Sequence, residues 1–247
     1  MEIIGILLLL AAAICLWVWR GRRARLTAIG ATETYTASLL ADIHRQVVTA
    51  VGADALAQRC EVAGTVEVDA PLLGKVSGKM CVAYSFTVNR EYEEPVTETD
   101  SQGRTQTRVQ RGSESLESGD VRAPFYVRDA TGRVLVDPTG AEIDWQPTAD
   151  VFEQANDPGL ARRRTLGTRR TEKALLVGER VYVLGHVVDR GGQPAIARGP
   201  AGDRMIISRK SERQLIIETE RSARNLLIAA SICGGLGLVA LVWGILT

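Results

Sequence analysis

The sequence has few residues of the kinds that bind metals or form disulfides. Its 247 residues include four cysteines and two histidines. Cys15 and Cys233 lie in long apolar runs, and no CxxC, HxxxH or HExxH spacing occurs. These absences exclude a disulfide framework and predict no structural or catalytic zinc. We expect Cys60 and Cys81 to be buried as small apolar side chains.

Catalytic motifs are missing as well. The sequence contains no GxSxG nucleophile elbow and no GxxxxGK[ST] phosphate loop. His44 is expected on a helix and His186 inside a strand, and we interpret both as packing residues rather than bases. The sequence therefore predicts no catalytic residue, no metal and no cofactor.

Charge is absent from two long runs, although charged residues make up 24% of the chain. Residues 3–19 and 226–246 contain no Asp, Glu, Lys or Arg. Runs of this length can cross a bilayer as helices. Because the first run follows Glu2 and lacks a basic start, we expect an uncleaved anchor rather than a signal peptide.

Basic residues flank only the inner ends of the two runs. The flanking residues are Arg20, Arg22, Arg23 and Arg25 after the first run, and Arg209, Lys210, Arg213, Arg221 and Arg224 before the second. The positive-inside rule predicts a cytoplasmic central domain with both termini outside. Arginine outnumbers lysine 26 to 4, a bias that indicates a GC-rich prokaryotic genome. We therefore expect a multi-pass protein of a bacterial plasma membrane.

The second run carries small residues at helical spacing. They are Ala230, Ser231, Gly234, Gly235 and Gly237. Small residues let membrane helices approach closely. They predict helix pairing through the spans, either within one chain or between two copies in a homo-oligomer.

Between the two runs the apolar periodicity changes from helical to alternating. Residues 36–50 have one apolar helical face, and from Cys60 onward a period of two begins with Val62, Gly64 and Val66. Further strands are predicted at 81–91, 125–128, 133–137, 180–189, 195–198 and 204–208. Ser211 and Gln214 form a capping-box pattern that predicts the start of a last helix.

These elements predict an α+β fold, with a β-rich antiparallel barrel or sandwich and one N-terminal helix, between two transmembrane helices. The expected divisions are a transmembrane helix at 3–19, a basic link and amphipathic helix at 20–57, a β-rich domain at 58–208, and a helix at 209–246 that continues into the second span.

Two polar segments interrupt the β-rich domain. Residues 91–120 carry a turn signal at 100–103 and predict a hairpin extension with arms at 91–99 and 105–111, disorder of its tip being the alternative. Residues 140–167 contain Pro147, Pro158 and Gly159, and we interpret them as a loop.

Five arginines cluster within this second segment and just after it. They are Arg162, Arg163, Arg164, Arg169 and Arg170. We first interpret them as a solvated loop balanced by nearby acids. The second interpretation is contact with anionic lipid, to which each basic residue contributes about 1 kcal/mol. Nucleic acid comes last, because no aromatic residue that could stack on bases interleaves the cluster.

The order of motifs along the chain resembles the GIDE family, also called the beside-a-membrane domain. The resemblance runs from an Arg-rich link through 62–66, Pro71, 77–81, Tyr84, 124–125, 129–138, Glu172, Gly178 and 181–185 to a C-terminal span. It implies a domain held beside a bilayer by two spans, which senses or binds a partner.

The same resemblance implies RING-type E3 ubiquitin ligase activity only where a RING follows the second span. A RING needs eight Cys or His ligands for two zinc ions, and this sequence has six such residues, two of them in the apolar runs. Because the sequence reaches Thr247 soon after the second run, we expect the zinc-binding RING to be absent. No catalytic or zinc-binding residue is therefore carried over from the family.

Three functional hypotheses follow. The first is a membrane-anchored, non-catalytic interaction or sensor module with a protein partner. The second is a component of an E3 ubiquitin-ligase-like system that binds substrate while catalysis lies in another chain. The third is a hydrolase that uses Asp129, Asp137 or Glu172 as acids, although the two aspartates stand in Asp-x-x-Gly and Asp-Pro sequences typical of turns.

Overall fold

The computed structural model describes residues 2–30, 34–52, 58–99, 103–156, 163–199 and 203–246. Within these ranges lie three helices: α1 (Glu2–Gly30), α2 (Ala37–Val51) and α3 (Glu212–Leu246). The strands are β1 (Arg59–Glu67), β2 (Leu72–Leu73), β3 (Met80–Thr99), β4 (Thr105–Arg122), β5 (Phe125–Arg128), β6 (Arg133–Val136), β7 (Glu142–Ile143), β8 (Gln146–Gln154), β9 (Arg164–Leu176), β10 (Arg180–Asp189), β11 (Pro194–Ala197) and β12 (Ile206–Ser208). The predicted α+β class is confirmed.

Helix α2 begins and ends as its sequence predicts. Thr36 is extended at the N-cap, where its side chain accepts a hydrogen bond from the Leu39 amide at 3.3 Å. Asp129, on the turn between β5 and β6, also accepts from the Ala37 amide at 2.7 Å. Gly52 ends the helix at φ 96°, a backbone angle that favours glycine. Leu40 and the flanking Ile43 and Val47 then pack on the barrel core.

Five strands close into a barrel. In the seven-stranded sheet, β1 pairs with β5, β5 with β6, β6 with β11, β11 with β10, and β10 returns to β1. The first barrel strand thus pairs with the second and the fourth, and the third lies parallel to the fifth. This is the connectivity of a five-stranded OB-type barrel.

The sheets are largely antiparallel, as predicted, but two short strand pairs depart from this. The β6–β11 and β12–β7 pairs are parallel. A parallel pair needs a long connection, and more than fifty residues separate β6 from β11 along the chain. Sequence spacing revealed the short strands but not which of these distant strands would become neighbours.

The apolar core fills this barrel. Its fully buried members include Val62, Val66, Phe125, Val136 and Ile196. Strand β10 is buried on both faces from Val181 to Val187, because Tyr182 and Leu184 form a second cluster with Ile206 on the outer side. Burial of this kind accounts for most of the stability of a domain.

A second sheet projects from the barrel and has little apolar core. Its order is β2-β3-β9-β8, with β4 paired along β3. We call the outer parts of β3 and β4, residues 89–99 and 105–111, the hairpin; their pairing confirms the predicted arms, and the tip at residues 100–102 lies outside the described residues. The predicted loop at 140–167 is wrong in part, because β7, β8 and the start of β9 lie there. Strand β8 lies at an exposed edge, so its sequence lacks the apolar alternation that would reveal it.

Aromatic rings between a glycine and a cation hold this polar sheet together. A Cβ on Gly112 would lie 2.6 Å from the Tyr92 hydroxyl, and the Arg163 guanidinium covers that ring at 3.8 Å. Phe86 lies in the same way between Gly119 and Lys75, and Phe152 lies between Gly167 and Arg169. Such cation–π contacts contribute about 0.5–1 kcal/mol each at exposed sites.

One helical segment in the described residues is long and apolar enough to cross a membrane. It covers Glu220–Ala240 in α3, with a mean hydropathy of 1.6, and the shorter apolar stretch Ile6–Gly21 lies in α1. The structure thus supports the second predicted span as a candidate, whereas the first predicted span, residues 3–19, falls in a helix whose apolar stretch is shorter. The capping box at the start of α3 is present: the Ser211 amide donates to Gln214 Oε1 at 3.2 Å and the Gln214 amide donates to Ser211 Oγ at 3.4 Å.

Candidate functional site

A cleft of about 590 Å³ lies where the helices meet the barrel. Its walls are the outer sides of β1 and β10, the residues just before α3, and Thr34 before α2. The lining residues are Thr34, Glu61, Ala63, Arg180, Val181, Tyr182, Arg209, Lys210, Ser211 and Gln214. Thr34, before α2, and residues 209–211, before α3, therefore reach the barrel at one place.

Glu61 forms the floor of this cleft. It is 1% exposed, and its two carboxylate oxygens accept hydrogen bonds from the hydroxyl groups of Thr34 and Tyr182. Its backbone carbonyl also accepts from the Tyr35 amide at 2.8 Å. Glu61 thus ties the start of the α2 segment to the barrel wall, since a buried carboxylate needs its hydrogen bonds satisfied.

Three cationic side chains stand around the cleft: Arg180, Arg209 and Lys210. Arg209 donates to the Gln146 amide oxygen at 3.3 Å. It also acts electrostatically on Glu179, whose pKa is raised by burial and by Asp144 and is lowered by a backbone hydrogen bond and by Arg209, with a net increase. Three cationic residues and one carboxylate, that of Glu61, thus give the lining a positive balance of charge.

Sequence reasoning missed Glu61 and Tyr182 as site residues. In an alternating strand, Glu61 lies on the face opposite to Val62 and Val66, so the pattern predicts an exposed side chain. Burial comes from Tyr182 on β10, which is 121 residues away along the chain. No local signal in the sequence reports that contact.

The rings of both histidines are buried, and the Nε2 atom of each faces an aspartate. His44 Nε2 is 2.6 Å from Asp189 Oδ1, and His186 Nε2 is 2.9 Å from Asp203 Oδ2. Burial lowers the pKa of His186, Asp203 raises it and Arg59 lowers it further, with a net decrease. His186 Nδ1 is buried without a hydrogen-bond partner beside Gly199. No hydroxyl or thiol nucleophile contacts either ring among the described residues.

The three acids considered for hydrolysis are occupied as hydrogen-bond acceptors. Asp129 accepts from the amides of Thr131 at 2.7 Å and Gly132 at 3.0 Å and also caps α2. Asp137 accepts from the Thr139 amide at 3.1 Å and pairs with Arg190 at 2.9 Å. The pKa of each aspartate is below its usual value, because these hydrogen bonds outweigh desolvation, which acts in the opposite direction.

Glu172 anchors the loop between β2 and β3. It is 3% exposed and accepts from the Val76 amide at 2.6 Å, from Thr148 Oγ1 at 2.9 Å and from the Ser77 hydroxyl. Desolvation raises its pKa, but these donors lower it by more. A carboxylate held in this way orders a loop and has little capacity left for proton transfer.

Cys60 on β1 and Cys81 on β3 are buried free thiols. Burial, with a smaller contribution from Glu61, raises the pKa of Cys60 to about 12. Burial and Glu172 raise the pKa of Cys81 to about 11. Neither thiol forms the thiolate that nucleophilic attack requires near neutral pH. The described residues contain no group of three or more His, Cys, Asp or Glu that could hold a metal ion.

The arginine cluster lies on the second sheet rather than in a loop. Arg164, Arg169 and Arg170 belong to β9, and Arg162 lies outside the described residues. Arg163 pairs with Glu94 at 3.0 Å, Arg169 pairs with Glu91 at 2.9 Å and Asp150 at 3.0 Å, and Arg170 pairs with Glu153. Neighbouring acids thus offset much of the positive charge that lipid contact would use. Contact of this cluster with anionic lipid stays a prediction.

The small residues of the second apolar run divide between two sides of α3. Ala230 is 5% exposed and Gly237 is buried, and a Cβ on Gly234 would lie 3.9 Å from the Cβ of Ala12 in α1. Ser231 and Gly235 are exposed on the other side. Ser231 Oγ donates to the Leu227 carbonyl at 3.0 Å. Helix α1 therefore lies against the Ala230 side of α3, and the predicted pairing between copies stays a prediction.

Comparison with known proteins places the chain in a family. A family model described as GIDE, E3 ubiquitin ligase, matches residues 93–242. No curated protein matches the chain, and no solved structure does. The match starts inside β3, so the motifs at 62–84 that suggested the family lie outside it. Because residues 93–242 cover more than half of the sequence and take in β4, β8 and β9 of the second sheet, four of the five barrel strands and the greater part of α3, this chain belongs to the GIDE family.

Proposed function

We propose that this chain is a membrane-anchored, non-catalytic interaction or sensor module. The main observation in its favour is that Thr34, just before α2, and residues 209–211, just before α3, line one cleft of the barrel beside Glu61. Helices α1 and α3 pack together near Ala12 and Gly234. In this proposal residues 3–19 and 226–246 both cross a bacterial plasma membrane, and the β-rich domain lies on the cytoplasmic side with both termini outside.

The state of the reactive side chains supports a binding role. Asp129, Asp137 and Glu172 hold turns and loops, and Cys60 and Cys81 are buried thiols with raised pKa values. A catalytic acid or nucleophile has to reach substrate with a free donor or lone pair. These groups instead use that capacity inside the fold.

The second sheet supplies the exposed surface that a partner could contact. Its strands β2, β3 and β4 are inserted between the first and second barrel strands, β1 and β5, and its strands β8 and β9 come between the third and fourth, β6 and β10. In OB-type barrels the corresponding connection takes part in ligand binding, which is an analogy between folds. Most of its exposed side chains are polar, and they project from paired β-strands rather than from a loop.

The topology is tested by labelling single cysteines with a membrane-impermeant maleimide in intact cells and in inside-out vesicles. In a background with Ser at positions 15 and 233, we expect Ser113→Cys to react only in inside-out vesicles. A cysteine added after Thr247 should react in intact cells. Labelling of both positions from the same side would contradict the two-span arrangement.

The binding role is tested with a photo-crosslinking amino acid at Leu116 on β4, with a matched position at Ile232 on the exposed side of α3. We expect one discrete adduct from Leu116 in native membranes and a different pattern from Ile232. Turnover of ester, phosphate or peptide model substrates that is lost on Asp137→Asn, while the protein stays folded, would contradict the non-catalytic assignment.

A second candidate is a substrate-binding component of an E3 ubiquitin-ligase-like system, favoured by the description of the matching family model. In this case the chain itself holds no zinc and transfers no ubiquitin, whereas adding the catalytic chain restores transfer to the captured protein. Stoichiometric zinc in the purified chain, or ubiquitin discharge from a charged E2 by the chain alone, would replace recruitment with direct catalysis.

A further inference from the structure

The outer edge of β4 is a long strand edge without a neighbouring strand in the described part of the chain. Strand β4 pairs only with β3, from Thr105 to Arg122, with a β-bulge at Leu116, because Ser115 lies opposite Asn89 and Glu117 lies opposite Val88. Nearly all of its residues are exposed, including Val109 at 67% and Leu116 at 52%. An unpaired edge of this length offers a row of backbone donors and acceptors to another strand.

We call residues 106–117 the β4 edge. Its basic and its acidic residues lie in separate halves. Its first half carries Arg108 and Arg111, and its second half carries Glu114 and Glu117. Each side chain has a partner within the chain: Glu98 for Arg108 at 2.7 Å, Glu93 for Arg111 at 3.0 Å, Arg90 for Glu114, and Lys75 for Glu117. All four are solvent-exposed pairs, so each stabilises the chain only slightly.

An antiparallel copy of the same strand complements this pattern. A two-fold axis near Gly112 and Ser113 sets the basic half of one strand against the acidic half of the other. With the axis at Gly112, Arg108 lies diagonal to Glu114 of the second copy, within reach of a long side chain. Val109 then lies opposite Ser115 and diagonal to Ser113. The interface uses the same surface on both chains and closes as a dimer.

The edge at the other side of the sheet lacks this complementarity. Strand β8 has nine residues, starts with Gln146-Pro147, and carries acids at Asp150 and Glu153 with no basic residue. Proline removes a backbone donor from an edge. Two antiparallel copies of β8 would also place acids against acids. The same sheet therefore has one edge that favours a second copy and one that disfavours it.

We propose that the β4 edge pairs with the β4 edge of a second copy of this chain, so that the two second sheets form one continuous sheet across a two-fold axis. This interface is separate from helix pairing through α1 and α3. It does not depend on the proposed function, because the pairing uses only the backbone and charges of β4.

The first test is cysteine crosslinking of the full chain in detergent, in a Cys15→Ser, Cys233→Ser background. Single cysteines are placed at Thr107, Gln110, Ser113 and Leu116 on β4, with exposed Val151 and Glu153 on β8 as matched controls. We expect oxidative dimer formation to peak at Ser113 and to be at least about tenfold weaker at both β8 positions. Equal yields from β4 and β8, or a peak away from the strand centre, would overturn the proposal.

The second test separates pairing from folding by exchanging charges between two chains. One variant carries Arg108→Glu and Arg111→Glu, and the other carries Glu114→Arg and Glu117→Arg. Each variant alone should lose its crosslinked dimer by about tenfold or more, because like charges then face each other. Mixing the two differently tagged variants should restore a heterodimer.

A misfolded chain could not form the heterodimer, so a heterodimer in the mixture shows that each variant had lost pairing and not folding. Far-UV circular dichroism and thermal unfolding of each variant provide the control for folding. If both variants fold and the mixture yields no heterodimer, the β4 edge is not a self-pairing surface. A crosslink to a different protein at Ser113 in native membranes, with no self-crosslink, would overturn the proposal in favour of a partner strand.

Discussion

The barrel and the second sheet are built from strands of similar geometry but are held together by different forces. The barrel surrounds fully buried Val, Ile and Phe side chains. The second sheet is held by ladders of backbone hydrogen bonds, exposed ion pairs and rings stacked between glycine and a cation. Apolar burial gives large free energies, whereas exposed pairs give small ones. Stability thus resides in the barrel, and side chains on the second sheet can change with little effect on folding.

The largest expected effect comes from emptying the barrel core. Phe125→Ala should lower the free energy of unfolding by about 3–5 kcal/mol, because Phe125 is fully buried between β1 and β6. Urea denaturation of the full chain in detergent micelles measures this change. The matched exposed variant Val109→Ala on the hairpin should change stability by no more than about 0.5 kcal/mol. Equal losses of unfolding free energy in the two variants would show that the barrel and the second sheet do not differ in the way described.

The second effect lies at the boundary between the regions. Glu172→Ala should cost about 2–3 kcal/mol, because the donors on Val76, Ser77 and Thr148 lose a charged acceptor. Hydrogen exchange should increase in the loop between β2 and β3, and Glu153→Ala on β8 provides an exposed control. The pKa of Glu172 is lowered in the fold. Its stabilisation is therefore complete above the usual pKa of glutamate, about 4.3, and is lost as the pH falls through the folded pKa. An unchanged loop in Glu172→Ala would contradict this role.

The third effect is a pH dependence of the barrel. The pKa of His186 is lowered, mainly by burial, so the unfolded chain takes up a proton more readily than the fold. Stability should then decrease as the pH falls below about 6.5 and level off below the folded pKa. His186→Gln should make that decrease between pH 7.5 and pH 5 smaller, as measured by chemical denaturation at each pH. Parallel pH profiles for the two proteins would refute this effect.

The smallest effect tests the ion pairs of the second sheet. Arg169→Ala removes the contacts with Glu91, Asp150 and the Phe152 ring, yet exposed pairs contribute about 0–1 kcal/mol. Thermal unfolding should shift by a few degrees at most, and the shift should shrink further in 1 M NaCl. A loss comparable to that of Phe125→Ala would place a structural core in the second sheet.

Strands and helices with a clear apolar period could be predicted from the sequence. The α2 helix, β1, β5, β6 and β10 lie where the pattern predicts them, and so does the hairpin. Strand β8 was missed because neither of its faces is buried, so selection for alternating apolar residues is absent. Arg164, Arg169 and Arg170 were predicted in a loop instead of on β9 for the same reason, because this part of β9 is largely exposed as well.

The candidate site could not be predicted in the same way. Glu61, Thr34 and Tyr182 meet only because β1 pairs with β10 in the barrel. Asp129 was recognised as a turn residue, but its hydrogen bond to the start of α2 links positions 92 residues apart. Pairs of this kind leave no periodic signal, since each residue type alone fits a surface position.

The sequence by itself determined the β-rich α+β class, the two apolar runs and the scarcity of metal-binding and nucleophilic residues, because composition and period act locally. Closure of the barrel, its parallel pairs, the packing of α1 on α3 and the cleft above Glu61 were decided only by the tertiary structure. Each of these joins segments that are far apart in the chain, and such joining depends on which surfaces complement one another in three dimensions. The unpaired edge of β4, too, can be recognised only from the structure, in which β3 pairs with the opposite edge of β4.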